Sequence, residues 1–251
     1  MSPTPPQTTR RVLVTGASRG IGRAAMRHLA DAGYQVVGLA RHAPGDARPD
    51  ERFVQCDLAD LEAARQVVEG LAREGGFYAL VNNAAIAHTT SIADTRVADM
   101  NEAMTLNVNA ALVCLQALMP GMRQAGAGRV VNISSRAALG KPNRTAYSAT
   151  KAALIGMSRT WALELAPHNI TVNVIAPGPV ATELFKQASP PGAEQTRALL
   201  AAVPLQRVAE PEELAHALGF LLHPLAGHMT GQTLHIDGGL TISAARLGSR
   251  Q

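Results

Sequence analysis

The chain has 251 residues, 47% of them hydrophobic and 17% charged, enough to bury one sizeable core and unlike the composition of a disordered protein. Lys and Arg outnumber Asp and Glu by 23 to 19, and the resulting net charge of +4 is scattered, without basic runs or interleaved aromatics, which argues against a nucleic-acid module. Cys56 and Cys114 are too few for a disulfide framework or a metal-binding array, so two reduced structural thiols in a cytoplasmic protein are expected.

Residues 1–10 read as a flexible tail, with three prolines before Gln7 and no basic segment leading into an apolar core of the secretory kind. Val12, Leu13 and Val14 make Arg11 to Thr15 a short buried strand. A turn containing Gly16, Gly20 and Gly22 follows, then a helix from Arg23 to Ala32 that Gly33 stops, then a strand from Gln35 to Ala40, which together form a βαβ unit. Further strands are expected at Arg52 to Gln55, Tyr78 to Val81, Arg129 to Ile133, Ile170 to Ile175 and Thr233 to Ile236. Helices are expected at Leu61 to Arg73, Val97 to Ala125, Tyr147 to Leu165 and Pro211 to Leu222, with Pro120 kinking the longest near its end. Residues 182–203 contain Ser189-Pro-Pro-Gly192 and read as two short helices around a mobile loop. Short strands alternating with helices imply a single α/β domain over residues 11–243, a doubly wound, seven-stranded and mainly parallel sheet with helices on both faces, followed by a tail at 244–251. No apolar run approaches the roughly 20 residues that cross a bilayer, so no membrane insertion is expected.

The glycine turn between a strand and an amphipathic helix suits a dinucleotide: little side-chain bulk lets a diphosphate approach the backbone, and the helix start offers N–H groups and positive dipole. Ser18 and Ile21 lie in the same turn. The second strand ends Gly38-Leu-Ala-Arg41 without the carboxylate that would bind an unmodified ribose, whereas Arg19 and Arg41 match a 2′-phosphate, or else are ordinary surface groups. NADP(H) is therefore preferred, with NAD(H) possible. Asp57 and Leu58 are placed to meet the adenine or to cap the next helix, and Asn82, Asn83 and Ala84 form a small turn where the crevice opens.

Tyr147 and Lys151, four residues apart on one helical face, suit carbonyl chemistry. The tyrosine gives its proton to the oxygen in reduction and takes it back in oxidation, and a neighbouring ammonium is expected to lower its pKa. Ser134 closes the fifth strand and is expected to orient the substrate oxygen. Asn107 is placed to hold a water beside Lys151 through its side chain or the local backbone.

These stretches closely resemble the short-chain dehydrogenase/reductase family over most of the chain, from Val12 to about Thr241. The motifs are Thr15-Gly-Ala-Ser-Arg-Gly-Ile-Gly22, Asn82-Asn-Ala-Ala85, Asn132-Ile-Ser-Ser135, Tyr147-Ser-Ala-Thr-Lys151 and Pro177-Gly-Pro-Val180 with Thr182. The resemblance implies a catalytic tetrad of Asn107, Ser134, Tyr147 and Lys151, the thirteen-residue step to Tyr147 selecting Ser134 over Ser135. It also implies cofactor contacts at Lys151, Val180 and Thr182, with Pro177 and Gly178 in the same motif, and a homotetramer or homodimer. Ala85 departs from the glycine common there, and the short connection from His42 to Glu51 implies an open adenine side. The histidines form no metal cluster.

Substrate choice is expected to fall to Ala85 to Thr89, Arg136 to Thr145, and a lid at 182–203 carrying Leu184, Phe185, Leu199 and Leu200. The expected activity is NADP(H)-linked interconversion of a small-molecule ketone and secondary alcohol. A 3-oxoacyl-carrier-protein reductase, the nearest general pattern, is an alternative. There Arg129 matches one basic carrier-docking position, while His168 replaces the other. Sugar or polyol oxidation, reduction of steroid-like ketones, and a non-catalytic NADP(H) sensor are further alternatives.

Overall fold

Strand residues alternate between the two faces of a sheet, so a strand made wholly of apolar residues is stable only between two layers of helix. That is the arrangement found in a computed structural model, which describes residues 10–188 and 192–243. The strands β1 (Arg11–Thr15), β2 (Gln35–Ala40), β3 (Arg52–Gln55), β4 (Ala79–Asn82), β5 (Gly128–Ile133), β6 (Ile170–Pro177) and β7 (Thr233–Ile236) form one sheet in the order β3-β2-β1-β4-β5-β6-β7. Every strand pairing is parallel.

The helices are α1 (Gly20–Asp31), α2 (Leu61–Glu74), α3 (Val97–Met104), α4 (Ala110–Ala125), α5 (Thr145–Leu165), α6 (Glu183–Ala188), α7 (Glu194–Ala202) and α8 (Pro211–Leu222). Val12 and Val14 of β1 join Met26 and Leu29 of α1 and Leu214 and Leu218 of α8 in one core. Leu13, pointing the other way, packs with Leu71 of α2, Leu118 of α4 and Leu154 and Trp161 of α5 in a second. Cys56 and Cys114 are buried in this second core, and burial pushes the Cys114 thiol up to about 12. The chain runs outward from β1 through β2 to β3, then returns to place β4 on the other side of β1. In this Rossmann-type fold that reversal opens a crevice beyond the carboxyl ends of β1 and β4.

The long helix is interrupted, but not where Pro120 led us to expect. A π-helical turn, Thr105–Asn109, separates α3 from α4, and Pro120 sits within α4. Proline removes the bond to the carbonyl four residues earlier, here Gln116, and both residues lie on the exposed side, where that carbonyl is open to solvent. The Val97–Ala125 run is long and apolar enough to pass for a membrane span, yet half of its most apolar window is buried inside the protein. The helix packs against α2, α5 and the sheet as a core element.

The connection from β2 to β3 is short, as expected, and firmly held. Arg23 of α1 bonds Glu51 at 2.7 Å and Asp46 at 2.9 Å, while Arg48 reaches back to Asp31 at 2.7 Å. The Glu51 carboxylate is fully enclosed. The Ser189 to Pro191 part of the expected lid loop and the tails at 1–9 and 244–251 lie outside the described residues.

Candidate active site

A single cleft of about 660 Å³ runs along the carboxyl ends of the strands from β2 to β6. Gly16, Ser18, Arg19, Gly20 and Ile21 line one end of it. Gly16 and Gly20 have φ of +65° and +55°, which side-chain-bearing residues rarely adopt. Gly22 faces inward, and a Cβ on it would lie 2.2 Å from the Gly16 carbonyl oxygen. The turn is thus drawn tight onto α1, whose first turn carries no acidic residue. Its N–H groups and dipole are free to receive a diphosphate.

Asn83 and Ala84 hold this turn from the neighbouring strand. The Asn83 side-chain amide donates to the Thr15 and Gly16 carbonyls at 3.0 and 3.1 Å, and the backbone N–H groups of Asn83 and Ala84 both donate to the Thr15 hydroxyl. Arg19 and Arg41 are exposed at the cleft and, among the described residues, form no ion pair or side-chain hydrogen bond. Arg23, by contrast, is committed to Glu51 and Asp46. Two free guanidinium groups beside the end of β2 fit a ribose 2′-phosphate. Asp57 and buried Leu58 line the adenine end. Asp57 accepts from Ala59 N–H, and the capping of α2 falls to Asp60 instead.

Across the cleft, β6 ends at Pro177 and Gly178. A Cβ on Gly178 would stand 2.7 Å from Asp237, so only glycine permits that approach. Val180 is buried, and Thr182 caps α6 by accepting from Phe185 N–H while its methyl lies against Gly20. Pro177, Gly178, Val180 and Thr182 all line the cleft, as does Ala85.

At the centre stand Tyr147 and Lys151 of α5. Lys151 is buried, and its Nζ donates to the Ile133 carbonyl at 2.6 Å while lying 5.5 Å from the Tyr147 ring centre. Burial without a carboxylate partner pulls the Lys151 ammonium down to about 7. Tyr147 shifts the opposite way from expectation. Burial raises its phenol pKa, and the Ser135 hydrogen bond and the Arg144 charge reverse only part of that. Tyr147 therefore keeps its proton at neutral pH.

The structure places the two neighbouring serines differently. Ser134 still belongs to the β5 ladder, its N–H donating to Ile175, so its side chain follows that of Asn132 toward α5. There its hydroxyl donates to the Lys151 carbonyl at 2.7 Å in a buried site. Ser135, one residue further, emerges at the strand end, caps the 3₁₀ turn Arg136–Leu139 and hydrogen-bonds Tyr147.

Asn107 lies in the π-helical turn with its side chain fully engaged. It accepts from Ile86 N–H and donates to the Ile86 carbonyl and the Thr150 hydroxyl, so both of its amide N–H donors are used. A buried relay from Asn82 to Asn132 to Ser158 to the Leu154 carbonyl ties β4 and β5 to α5. This fixes the helix carrying Tyr147 and Lys151 against the sheet.

Arg136, Phe185 and Leu199 line the substrate end of the cleft. The Leu184 side chain lies outside the described residues. His88 pairs with Glu102 at 3.1 Å. Arg129 is buried, donating to the Gly128 and Pro224 carbonyls, and presents no outward charge. No group of three or more potential metal ligands gathers among the described residues.

Lys151 gives the stability of the cofactor-free protein a definite pH dependence. Its folded-state pKa of about 7 lies below the ordinary 10.5, so the folded form binds fewer protons between those values. The destabilisation is complete below about pH 7 and is relieved as pH rises toward 10.5. The melting temperature of Lys151→Met relative to the parent, measured from pH 6.5 to 9.5, is expected to be highest at the acid end. A difference independent of pH would contradict this.

Residues 16–241 match a family described as Enoyl-(Acyl carrier protein) reductase. A 3-oxoacyl-[acyl-carrier-protein] reductase of Vibrio cholerae is 34% identical over 91% of this chain and 96% of its own length. The ligand-free aldohexose dehydrogenase of Thermoplasma acidophilum superposes with a TM-score of 0.89 at 29% identity, over 97% of this chain and 98% of its own. ElxO with NADP bound superposes with a TM-score of 0.86 at 27% identity, over 93% and 99% of the two chains.

Proposed function

This chain belongs to the short-chain dehydrogenase/reductase family, and we propose that it uses NADP(H) to interconvert a ketone and a secondary alcohol. The observation that carries this reading is the meeting, in one cleft, of a neutral, half-buried Tyr147 hydrogen-bonded by Ser135 with the glycine turn and its two free arginines. The bound dinucleotide supplies the hydride in reduction and accepts it in oxidation. Gly16 to Gly22 would hold its diphosphate, Arg19 and Arg41 its 2′-phosphate, and Asp57 and Leu58 its adenine. Ser135 orients the substrate oxygen, Tyr147 delivers the proton to it, and Lys151 assists from beneath. Phe185 and Leu199 supply apolar walls that exclude water, with residues 182–203 as the lid.

The test is a turnover screen with NADPH and NADH in parallel, over ketones, 3-oxoacyl thioesters, sugars and secondary alcohols. Reduction with a clear NADPH preference supports the reading, and silence across the panel despite NADPH binding would favour the sensor alternative. Arg41→Ala is expected to raise the KM for NADPH about tenfold or more while leaving NADH nearly unaffected, the signature of a lost charge-assisted bond. Equal effects on both cofactors would remove Arg41 from the 2′-phosphate site.

Two of the relatives suggest narrower substrates, and the structure bears on one of them. Arg129, the group matched to carrier docking, is only 5% exposed, which weighs against a carrier-bound substrate. A homotetramer or a homodimer is the assembly that the family resemblance implies. Sedimentation of the purified protein reads that assembly directly.

A further inference from the structure

We propose that the substrate carries an anionic group, a carboxylate or a phosphate, which docks on Arg136, Lys141 and Arg144 at the substrate end of the cleft. The inference rests on the carbonyl-reduction reading above and narrows its substrate. All three cations line the cleft between the end of β5 and the start of α5. They follow Ser135 and precede Tyr147, so an anion held by them belongs to a molecule whose carbonyl lies at the tyrosine. They are distinct from Arg19 and Arg41, which stand beyond β1 and β2 on the other side of the sheet's reversal.

Three like charges in one recess repel one another, and surface cations ordinarily offset such repulsion with neighbouring carboxylates. Here none of the three forms an ion pair among the described residues. Arg144 spends part of its donor set on the Ala87 and His88 carbonyls, which fixes it in place, while Arg136 and Lys141 make no side-chain hydrogen bond there. Two carboxylates, Glu102 and Glu183, also line the cleft, and a Glu102 oxygen lies 3.1 Å from His88 Nε2. Neither acts on Lys141. Much of the Lys141 side chain is open to solvent, yet the protein around its ammonium, and then Arg144 and Arg136, hold it below the ordinary lysine range. An incoming anion relieves this repulsion, and the planar forks of the arginines match carboxylate and phosphate oxygens. Arg144 also adds its positive field to the Tyr147 phenol, so an anion that neutralises it makes the tyrosine hold its proton more firmly until transfer.

The experiment compares matched pairs in NADPH-linked reduction: acetoacetate against methyl acetoacetate, and dihydroxyacetone phosphate against dihydroxyacetone. The charged member of at least one pair is expected to have the higher kcat/KM, by about ten- to a hundredfold, mostly through KM. Which pair shows it separates a carboxylate from a phosphate. Arg136→Gln with Lys141→Gln is expected to bring that ratio close to one without changing NADPH affinity, whereas Arg73→Gln, on the exposed side of α2, leaves it intact. Neutral members equal to or better than their charged partners would overturn the proposal. If neither pair reacts, titration of inorganic phosphate and malonate into NADPH-saturated protein decides. Binding that the double variant abolishes supports the anion site, and no binding, or binding that survives the substitutions, overturns it. Failure of NADPH itself to bind would instead strike the cofactor reading.

Discussion

Tyr147→Phe is expected to lower kcat by about a hundred- to ten-thousandfold while NADPH binding stays near the parent value. The ring remains to fill its place in the cleft, and only the hydroxyl is lost, so a change confined to kcat isolates proton transfer from packing. The pH profile carries the second half of the prediction. Burial holds the phenol above its ordinary range, which keeps Tyr147 protonated at neutral pH and suits it to reduction. Reduction is expected to fall only on the alkaline side, where the phenol loses its proton, and oxidation is expected to rise there. Stopped-flow measurement of NADPH consumption with the best ketone of the screen reads both. Retention of more than a tenth of the parent kcat by Tyr147→Phe would remove the tyrosine from the proton-transfer role.

The two serines separate just as sharply. Ser135→Ala is expected to cost about a hundred- to a thousandfold in kcat, the scale of a lost donor to a developing oxyanion. Ser134→Ala removes a buried hydrogen bond to the Lys151 carbonyl, so about 1 kcal/mol of stability and a few degrees of melting temperature are expected to go, with activity reduced only a few-fold. Measuring both variants for kcat and for thermal unfolding yields a crossed pattern. The reverse pattern, with Ser134→Ala inactive and Ser135→Ala active, would restore the assignment made from spacing.

The different placement of these neighbouring serines marks where sequence reasoning stops. Spacing along the chain locates a turn or a helix face, but which of two adjacent residues faces the cleft depends on how far the strand ladder runs. Ser134 is held on the ladder by Ile175, a residue forty-one positions away. The π-helical turn at Asn107 has the same origin. It is held through hydrogen bonds to Ile86 and Thr150, neither of which is close in sequence, while Pro120, the visible helix breaker, is tolerated because its unpaired carbonyl partner is exposed.

The local chemistry was legible from the chain alone. Short apolar runs located all seven strands within a few residues, the glycines marked the turn whose backbone needs positive φ, and the four-residue step placed Tyr147 and Lys151 on one helical face. Each of these is a short-range property, set by sterics and periodicity within one element. The tertiary structure decided what depends on neighbours. It enclosed Lys151 without a counter-charge and so lowered its pKa, raised that of Tyr147, turned Ser134 inward and Ser135 outward, and buried Arg129. It also gathered Arg136, Lys141 and Arg144 into one recess without an ion-pair partner among the described residues. Burial and electrostatic fields are sums over residues distant in sequence, and those sums exist only once the sheet and its helices have packed.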